Sequence, residues 1–443
     1  MAKKNKSGLA RNVQADQQIE KIQYALALQN LGQFEMAAFI YKEVIASDKN
    51  CVDALYLLGV LYMQSQQFPS AIESLQRAIK LVPNNPFTHF NLGTALCGLK
   101  QFSKALASFD SAIALKADYA EAYCNKANAL MDMGMLEKAI EHYVIANKYA
   151  PNLAEPFCHK GMALNTLKKH AEALEALNNA IRLSPNYADA YYHRGNTFIE
   201  IQQVDLAAKS YQQAIIIRPD YESAKYALAA LTQENPPARA PSDYVANLFD
   251  GYAENFDQHL TQVLEYKTPY ELAQQLRMYS AKNDFDALDL GCGTGLCAVA
   301  FDGLFKTMDG VDLSSKMVNK AQERGMYRNL VTADIDTYLS KQGISYDLII
   351  CADVLVYIGD LSNVFEGVKR VIKDKGFFSF SVELSSEQRD FVLNTSMRYG
   401  HSKQYVQRLV EQNGFKTINA QECQLRKDGE KWITGLVFLV QTI

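Results

Sequence analysis

Small apolar residues recur along the first half of the chain at a fixed step. Gly59, Gly93, Ala127, Gly161 and Gly195 lie 34 residues apart, and Ala71, Ala105, Ala139, Ala173 and Ala207 keep the same step. A step this long marks a supersecondary unit repeated as a whole. Pro83, Pro151, Pro185 and Pro219 fall in phase with it, where a helix must stop because proline has no N–H and its ring clashes backward. Lys49 and Ala117 replace proline in two of the turns. Two helices approach closely only where a side chain is missing, so the glycine and alanine positions predict antiparallel helix pairs. Tyr143, Leu177 and Tyr211 are the larger residues expected to fill the gaps. Repeats are expected at about 18–51, 52–85, 86–119, 120–153, 154–187 and 188–221, the first being the weakest match. Residues 222–232 read as an amphipathic helix capping the last exposed apolar face.

The periodicity stops at Asn235-Pro236-Pro237-Ala238-Arg239-Ala240-Pro241, which has the composition of a linker. Beyond it, short β-rich runs at 285–290, 308–313, 346–351, 377–382 and 432–441 alternate with helical stretches, the pattern of a parallel sheet wrapped by helices. The runs near 415–425 and 432–441 have only Lys427-Asp428-Gly429-Glu430 between them. That is too short for a crossover and predicts an antiparallel hairpin. The expected organisation is a basic tail over 1–17, a solenoid over 18–234, a linker over 235–241 and an α/β domain over 242–443.

Composition narrows the function classes. With 45 basic and 49 acidic residues, nothing pulls the chain as a whole toward nucleic acid or an anionic membrane. Lys3, Lys4, Lys6 and Arg11 make the start basic, but no apolar stretch of signal or spanning length follows. Eight cysteines are scattered singly, without Cys-x-x-Cys or a histidine cluster at ligand spacing. This points away from a disulfide framework, predicts no metal, and implies a reducing, cytoplasmic setting.

The sharpest chemical signal is Ala287-Leu288-Asp289-Leu290-Gly291-Cys292-Gly293-Thr294-Gly295, an apolar strand running into a glycine turn before a helix. Open α/β sheets bind ligands at such strand ends. A dinucleotide fingerprint would require glycine at 296, where Leu296 stands. The carboxylate of Asp289 just before the loop disfavours a pyrophosphate and suits a ligand carrying an ammonium group. Asp312 follows about twenty residues after the loop, at a position where a carboxylate accepts from ribose hydroxyls. Asp334, in Thr332-Ala333-Asp334-Ile335, is placed to accept from an exocyclic adenine amine. Asparagines 91 and 125 share one position of the repeat, and 128 and 196 another. On the inner face of the solenoid, Asn91, Asn125, Asn128 and Asn196 would form a carboxamide ladder able to hold an extended peptide.

The first half resembles the tetratricopeptide repeats, through the 34-residue period with a small residue in the first helix and alanine in the second. The glycine loop, Asp312, Asp334 and Tyr346-Asp347-Leu348-Ile349-Ile350-Cys351-Ala352-Asp353 resemble the successive motifs of class I S-adenosylmethionine-dependent methyltransferases. Leu248-Phe249-Asp250-Gly251-Tyr252-Ala253-Glu254-Asn255-Phe256-Asp257-Gln258-His259-Leu260 and Arg398-Tyr399-Gly400-His401-Ser402 are similar to the bacterial methyltransferases fused to such repeats. The fold implied is an all-α solenoid followed by a Rossmann-like α/β domain, doubly wound, with a mostly parallel sheet and a C-terminal antiparallel hairpin. The cofactor implied is S-adenosylmethionine, held by Asp289, Gly291, Gly293, Gly295, Asp312, Asp334 and Ile335. By the same resemblance Tyr252 and Phe256 close the pocket and Met317 packs on the adenine. A sulfonium is already an activated leaving group, so a base matters only for a protonated acceptor. Asp353, Tyr399 and His401 are the candidates. The resemblance implies a methyltransferase whose repeats recruit a protein substrate or partner. The alternative is an interaction scaffold whose α/β domain holds cofactor without turnover.

Overall fold

The computed structural model describes residues 2–253, 256–385, 389–428 and 431–443. They divide into two compact units, Met1–Gln202 and Gln203–Ile443. The regular elements described in the first unit are helices: α1 (Ala2–Asn30), α2 (Phe34–Ser47), α3 (Val52–Gln64), α4 (Phe68–Leu81), α5 (Pro86–Gly98), α6 (Phe102–Leu115), α7 (Ala120–Asp132), α8 (Leu136–Tyr149), α9 (Ala154–Thr166), α10 (His170–Leu183) and α11 (Ala188–Glu200). Helix α1 takes in most of the stretch expected as a tail.

Consecutive helices pack as hairpins, α3 with α4, α5 with α6, α7 with α8 and α9 with α10. The small residues act as the repeat pattern requires. A Cβ on Gly59 would lie 2.7 Å from Leu75 Cγ, one on Gly93 2.6 Å from Phe109 Cε1, and one on Gly161 2.6 Å from Leu177 Cγ. Each hairpin turn passes through a left-handed residue at the same step of 34: Gly32, Gln66, Lys100, Gly134 and Lys168, with φ from 55 to 77°. Only two of these are glycine, so the turn is held by its hairpin rather than by local preference.

The second unit opens with α12 (Val204–Ile217), α13 (Glu222–Thr232) and α14 (Ser242–Tyr252), then α15 (Phe256–Gln258) running into a π-helical turn at His259–Val263, and α16 (Thr268–Tyr279). The α/β part follows: β1 (Phe285–Leu290), α17 (Leu296–Ala300), β2 (Phe305–Asp312), α18 (Ser315–Glu323), β3 (Asn329–Thr332), α19 (Ile335–Lys341), β4 (Tyr346–Cys351), α20 (Ser362–Val371), β5 (Ile372–Leu384), β6 (Phe391–Leu393), β7 (Tyr399–His401), α21 (Lys403–Gln412), β8 (Phe415–Asp428) and β9 (Lys431–Thr442). Strands β3, β2, β1, β4 and β5 run parallel in that order. Strand β9 pairs antiparallel with both β5 and β8. The hairpin pairing extends to Asp428 opposite Lys431, tighter than the sequence suggested. A short β6–β7 hairpin, not foreseen, lies against the end of β5.

Side chains alternate between two cores along each central strand. Leu288, Leu290, Ile349 and Phe438 face α19, α20 and α21, whereas Ala287, Leu348, Ile350 and Leu439 face α16 and α17. Helices thus cover both faces, as a mostly parallel sheet requires. Phe378, Phe380 and Phe438 stack, with centroids 4.5 and 5.0 Å apart.

The division falls at 202/203, upstream of the proline-rich segment, because α13 and that segment are bound to the α/β part. Tyr226, fully buried, donates its hydroxyl to the Met397 carbonyl at 2.6 Å. Tyr399 Oη donates to the Pro237 carbonyl at 2.6 Å, Ala240 N to Tyr357 O at 2.8 Å, and Gly359 N to Ala238 O at 2.8 Å. Among the described residues no helix is long and apolar enough to cross a membrane.

Candidate functional site

A cavity of about 380 Å³ opens where β1, β2, β3 and β4 end. That volume lies within the range of small-molecule sites. Its floor is the glycine loop. Gly291, Gly293 and Gly295 all have positive φ, at 71, 53 and 91°. Gly291 is excluded from bearing a side chain by contact, since a Cβ there would lie 2.2 Å from Val354 Cγ2. Gly293 instead faces the cavity, and a Cβ there would meet only Phe256 Cε1, at 3.9 Å.

Asp312, at the end of β2, holds the loop in place. Its Oδ2 accepts from Gly293 N at 2.9 Å and its Oδ1 from Ser314 N at 2.8 Å. Burial raises its pKa, and these backbone donors oppose the rise. Asp334 caps α19, with Oδ1 accepting from Asp336 N and Thr337 N. Its Oδ2 pairs with Arg239 Nη2 at 2.5 Å, and Arg239 Nη1 pairs with Asp336 at 2.8 Å. Asp334, Ile335 and Arg239 are all on the cavity wall.

Asp289 sits beneath the loop and off the wall, fully buried. Its Oδ2 accepts from Tyr327 Oη at 2.7 Å, while Oδ1 has no hydrogen-bond partner. Burial pushes its pKa up to about 7. Met317 is likewise fully buried and away from the wall, in α18. Tyr252 and Phe256 do line the cavity, edge to face at 5.7 Å. The helix that carries Tyr252 is tied down: Asp250 Oδ1 accepts from Ser314 Oγ at 2.5 Å and Lys316 N at 3.1 Å. Downstream, Asp257 takes Thr294 Oγ1 and the Arg324 guanidinium.

The three acid–base candidates separate. Asp353 lines the cavity, in a left-handed conformation (φ 54°) fixed by Ser381, whose Oγ donates to Oδ1 and accepts from Asp353 N, each at 2.8 Å. Tyr399 and His401 are fully buried in β7 and off the wall. The Tyr399 hydroxyl is committed to Pro237. His401 Nε2 lies 2.8 Å from Ile358 O and 3.1 Å from Gly359 O. Two facing carbonyls require a proton on that nitrogen, and burial lowers the imidazole pKa to about 4. His401 thus fastens the loop after β4. The cavity also gathers Tyr266, Tyr357, Arg398, Arg426 and Lys427, which pattern reading passed over. The available signal was Arg398 beside Tyr399 in the stretch already singled out; Arg426, in the polar run Gln424-Leu425-Arg426-Lys427 of β8, carried none.

In the first unit the four asparagines already hold intramolecular partners. Asn91 Nδ2 donates to Tyr56 Oη at 3.0 Å and Asn125 Nδ2 to Thr94 Oγ1 at 3.2 Å. Asn128 Oδ1 accepts from buried Tyr143 Oη at 2.6 Å and lies 2.8 Å from His159 Nδ1. Asn196 interacts with Tyr192. Ligand atoms of Cys124, Glu155 and His159 come within 4.8 Å of one another. Burial raises the Cys124 thiol far above its ordinary range, so it is protonated at neutral pH.

The family described as a methyltransferase domain matches residues 287–376. Tetratricopeptide repeat families match 22–51, 61–100, 120–153, 161–202 and 188–221. The chain thus carries a methyltransferase domain behind an array of tetratricopeptide repeats, and that domain is similar to S-adenosylmethionine-dependent methyltransferases. It is 26% identical over 186 residues to a probable S-adenosylmethionine-dependent methyltransferase, CRG1, of Saccharomyces cerevisiae, an alignment covering 40% of this chain and 62% of that one. It is 28% identical over 110 residues to a ubiquinone biosynthesis O-methyltransferase of Thiobacillus denitrificans, covering 24% and 47%. The chain thus spans between about half and three fifths of the length of these relatives. A solved magnesium protoporphyrin IX methyltransferase of Synechocystis aligns at 18% identity and a TM-score of 0.37, over 46% of this chain and 97% of that one.

Proposed function

We propose that the second unit transfers a methyl group from S-adenosylmethionine to an acceptor, and that the repeats recruit a protein substrate or partner to it. The observation that carries the first part is the Gly293–Asp312 pair: a left-handed glycine open to the cavity, its N–H fixed by the carboxylate expected at the ribose. The residues fit a nucleoside linked to an amino acid. Asp312 retains lone pairs for ribose hydroxyls, Asp334 and Ile335 meet the base, Gly293 admits close approach to the backbone, and Tyr252 and Phe256 close the top. Gly291 and Gly295 keep the turn in its left-handed course against Val354 and against Arg324 and Tyr327, with Gly295 off the cavity wall. When bound, the cofactor supplies a methyl already activated by its sulfonium. The chain's part is to orient and exclude water. Of the acid–base candidates, Asp353 alone faces the cavity, and it is the group we assign to contact the acceptor. Tyr399 and His401 position the loop from behind. Asp289 acts through the loop it underlies.

The repeat array supports recruitment through its Asn91, Asn125, Asn128 and Asn196 positions, whose carboxamides keep spare donor or acceptor capacity beside the bonds they already make. Eight free cysteines and the absence of a spanning helix among the described residues support a cytoplasmic assignment. Calorimetry tests the cofactor: S-adenosylmethionine and S-adenosylhomocysteine should bind and NADH should not. Tight NADH binding without response to S-adenosylmethionine overturns the reading. Tritiated methyl transfer into cell extract, fractionated into protein, nucleic acid and small molecules, tests turnover.

A further inference from the structure

The strand order separates the cavity into two halves. The glycine loop, Asp312 and Asp334 follow β1, β2 and β3. Asp353 follows β4, and beyond it lie β5, β9 and β8. The far half is built from charged groups out of water. Arg426 is 5% exposed, with Nη2 on Glu383 and Nη1 3.4 Å from Asp353 Oδ2. Its Nε is buried and has no partner. A shift in strand register between Gln424 and Arg426 re-aims this residue, and Arg426 joins the cavity wall while Leu425 is buried against Gly435. Arg398, half-buried on the same wall, hydrogen-bonds the Tyr357 hydroxyl and lies in the field of Glu383 and Asp353, but has no carboxylate within salt-bridge distance among the described residues.

A guanidinium taken out of water without a paired anion is costly, and an unsatisfied buried N–H adds to the cost. Both penalties fall on groups facing one cavity. Resting on the methyltransferase reading above, we infer that this half is an acceptor site that anchors a single carboxylate between Arg398 and Arg426. The count of charges selects the ligand. Arg398, Arg426 and Lys427 against Asp353, Glu383 and the Lys427 partner Glu265 sum to zero, so the site admits one negative charge more readily than the two of a phosphate monoester. Tyr266, Leu264, Val356 and Tyr357 give the rest of the acceptor an apolar surround. The acceptor is thus an apolar or aromatic monocarboxylate, and an acceptor lacking the acid is disfavoured.

The test uses the full chain saturated with S-adenosylhomocysteine, titrated calorimetrically with 4-phenylbutyrate and with its neutral isostere 4-phenylbutyramide. The acid should bind at least tenfold more tightly. Arg398→Gln should reduce that preference below threefold, and Arg398→Lys should restore part of it. Affinity for S-adenosylhomocysteine should be unchanged in both variants. Equal binding of acid and amide, or binding of neither, overturns the proposal. A fall in S-adenosylhomocysteine affinity in Arg398→Gln also overturns it, because the arginine would then be holding the cofactor's own carboxylate. Failure of wild-type chain to bind S-adenosylhomocysteine would strike the methyltransferase reading itself, a separate outcome. Arg426→Gln removes the counter-charge of Glu383 and is the harsher variant, so Arg398 carries the test.

Discussion

Arg239 Nη2 lies 2.5 Å from Asp334 Oδ2, joining the proline-rich segment to the carboxylate that ends the third strand. The segment is thereby part of the cavity wall. Removing the guanidinium frees Asp334 and Asp336 to repel each other and to turn from their present orientation. Arg239→Ala should weaken S-adenosylhomocysteine binding by about 1–2 kcal/mol, the range of a charge-assisted hydrogen bond partly open to solvent. Isothermal calorimetry on the full chain checks it, and an unchanged affinity would mean the segment only packs.

Two glycines of one loop should respond differently to alanine. At Gly291 the new methyl would overlap Val354, so Gly291→Ala should lower folding stability by more than about 2 kcal/mol, from overpacking and left-handed strain together. At Gly293 there is space on the cavity side. Gly293→Ala should cost about 1–2 kcal/mol of stability yet abolish measurable cofactor binding. Paired urea unfolding and calorimetry separate the two effects.

His401 gives a dependence on acid. Folded, its pKa is about 4, and unfolded about 6.5, so between these values the unfolded chain binds the extra proton. Its contribution is intact above pH 6.5 and is lost as pH falls toward 4, by about 3 kcal/mol in all. His401→Gln retains a donor for Ile358 O and cannot titrate. Its melting temperature should fall less steeply than wild type from pH 7 to pH 4.5.

Asp289 has the opposite sign. Its folded pKa of about 7 exceeds the unfolded value, so the stability it contributes is present below about pH 4 and is lost as pH rises through 7. Asp289→Asn should be more stable than wild type at pH 8, by at most about 4 kcal/mol, with the gain vanishing in acid. A variant equally destabilised at both pH values would mean that the Tyr327 contact outweighs charge burial.

In the repeats, Asn128 should matter more to stability than Asn91 or Asn125. Its Oδ1 satisfies the buried Tyr143 hydroxyl and faces His159, so Asn128→Ala should cost about 1–3 kcal/mol. Asn91→Ala and Asn125→Ala each remove one partly exposed bond and should cost under about 1 kcal/mol. Thermal unfolding of the three single variants orders them. If the array feeds substrate to the enzyme, Asn91→Ala with Asn125→Ala should raise KM for the natural acceptor and leave kcat nearly unchanged.

What could be read from sequence follows the periodicity of each signal. The repeats were legible because Gly59, Gly93 and Gly161 each face a bulky partner sixteen positions on, a constraint that recurs and so announces itself. The first and fourth strands were legible to the residue, since apolar runs flanked by glycine or polar turns leave little choice of register. Asp312 and Asp334 were placed by spacing from the loop. His401 and Tyr399 could not be sorted from Asp353 by sequence, because all three stand near strand ends and only the packing of β7 against the proline-rich segment turns two of them inward. That same packing hid the role of Arg239, which reaches Asp334 across about ninety-five residues of chain. Arg426 was hidden by a register shift, which no alternation of polar and apolar residues encodes.

The anchoring of α14 bears on timing. Asp250 binds Ser314 and Lys316, and Asp257 binds Thr294 and Arg324, so the cover over the loop is latched on both sides of Gly251. On the proposed reading of this cavity, a spent nucleoside leaves only after those latches part. In a catalyst shut in this way, the tempo of repeated cycles is set by how often the cover swings open, on the microsecond-to-millisecond scale of such motions. The Asp257 latch is an ion pair with Arg324, whereas Asp250 takes only a hydroxyl and a backbone N–H. Added salt should therefore loosen the downstream latch and quicken release of the product while leaving a single round of transfer as fast as before.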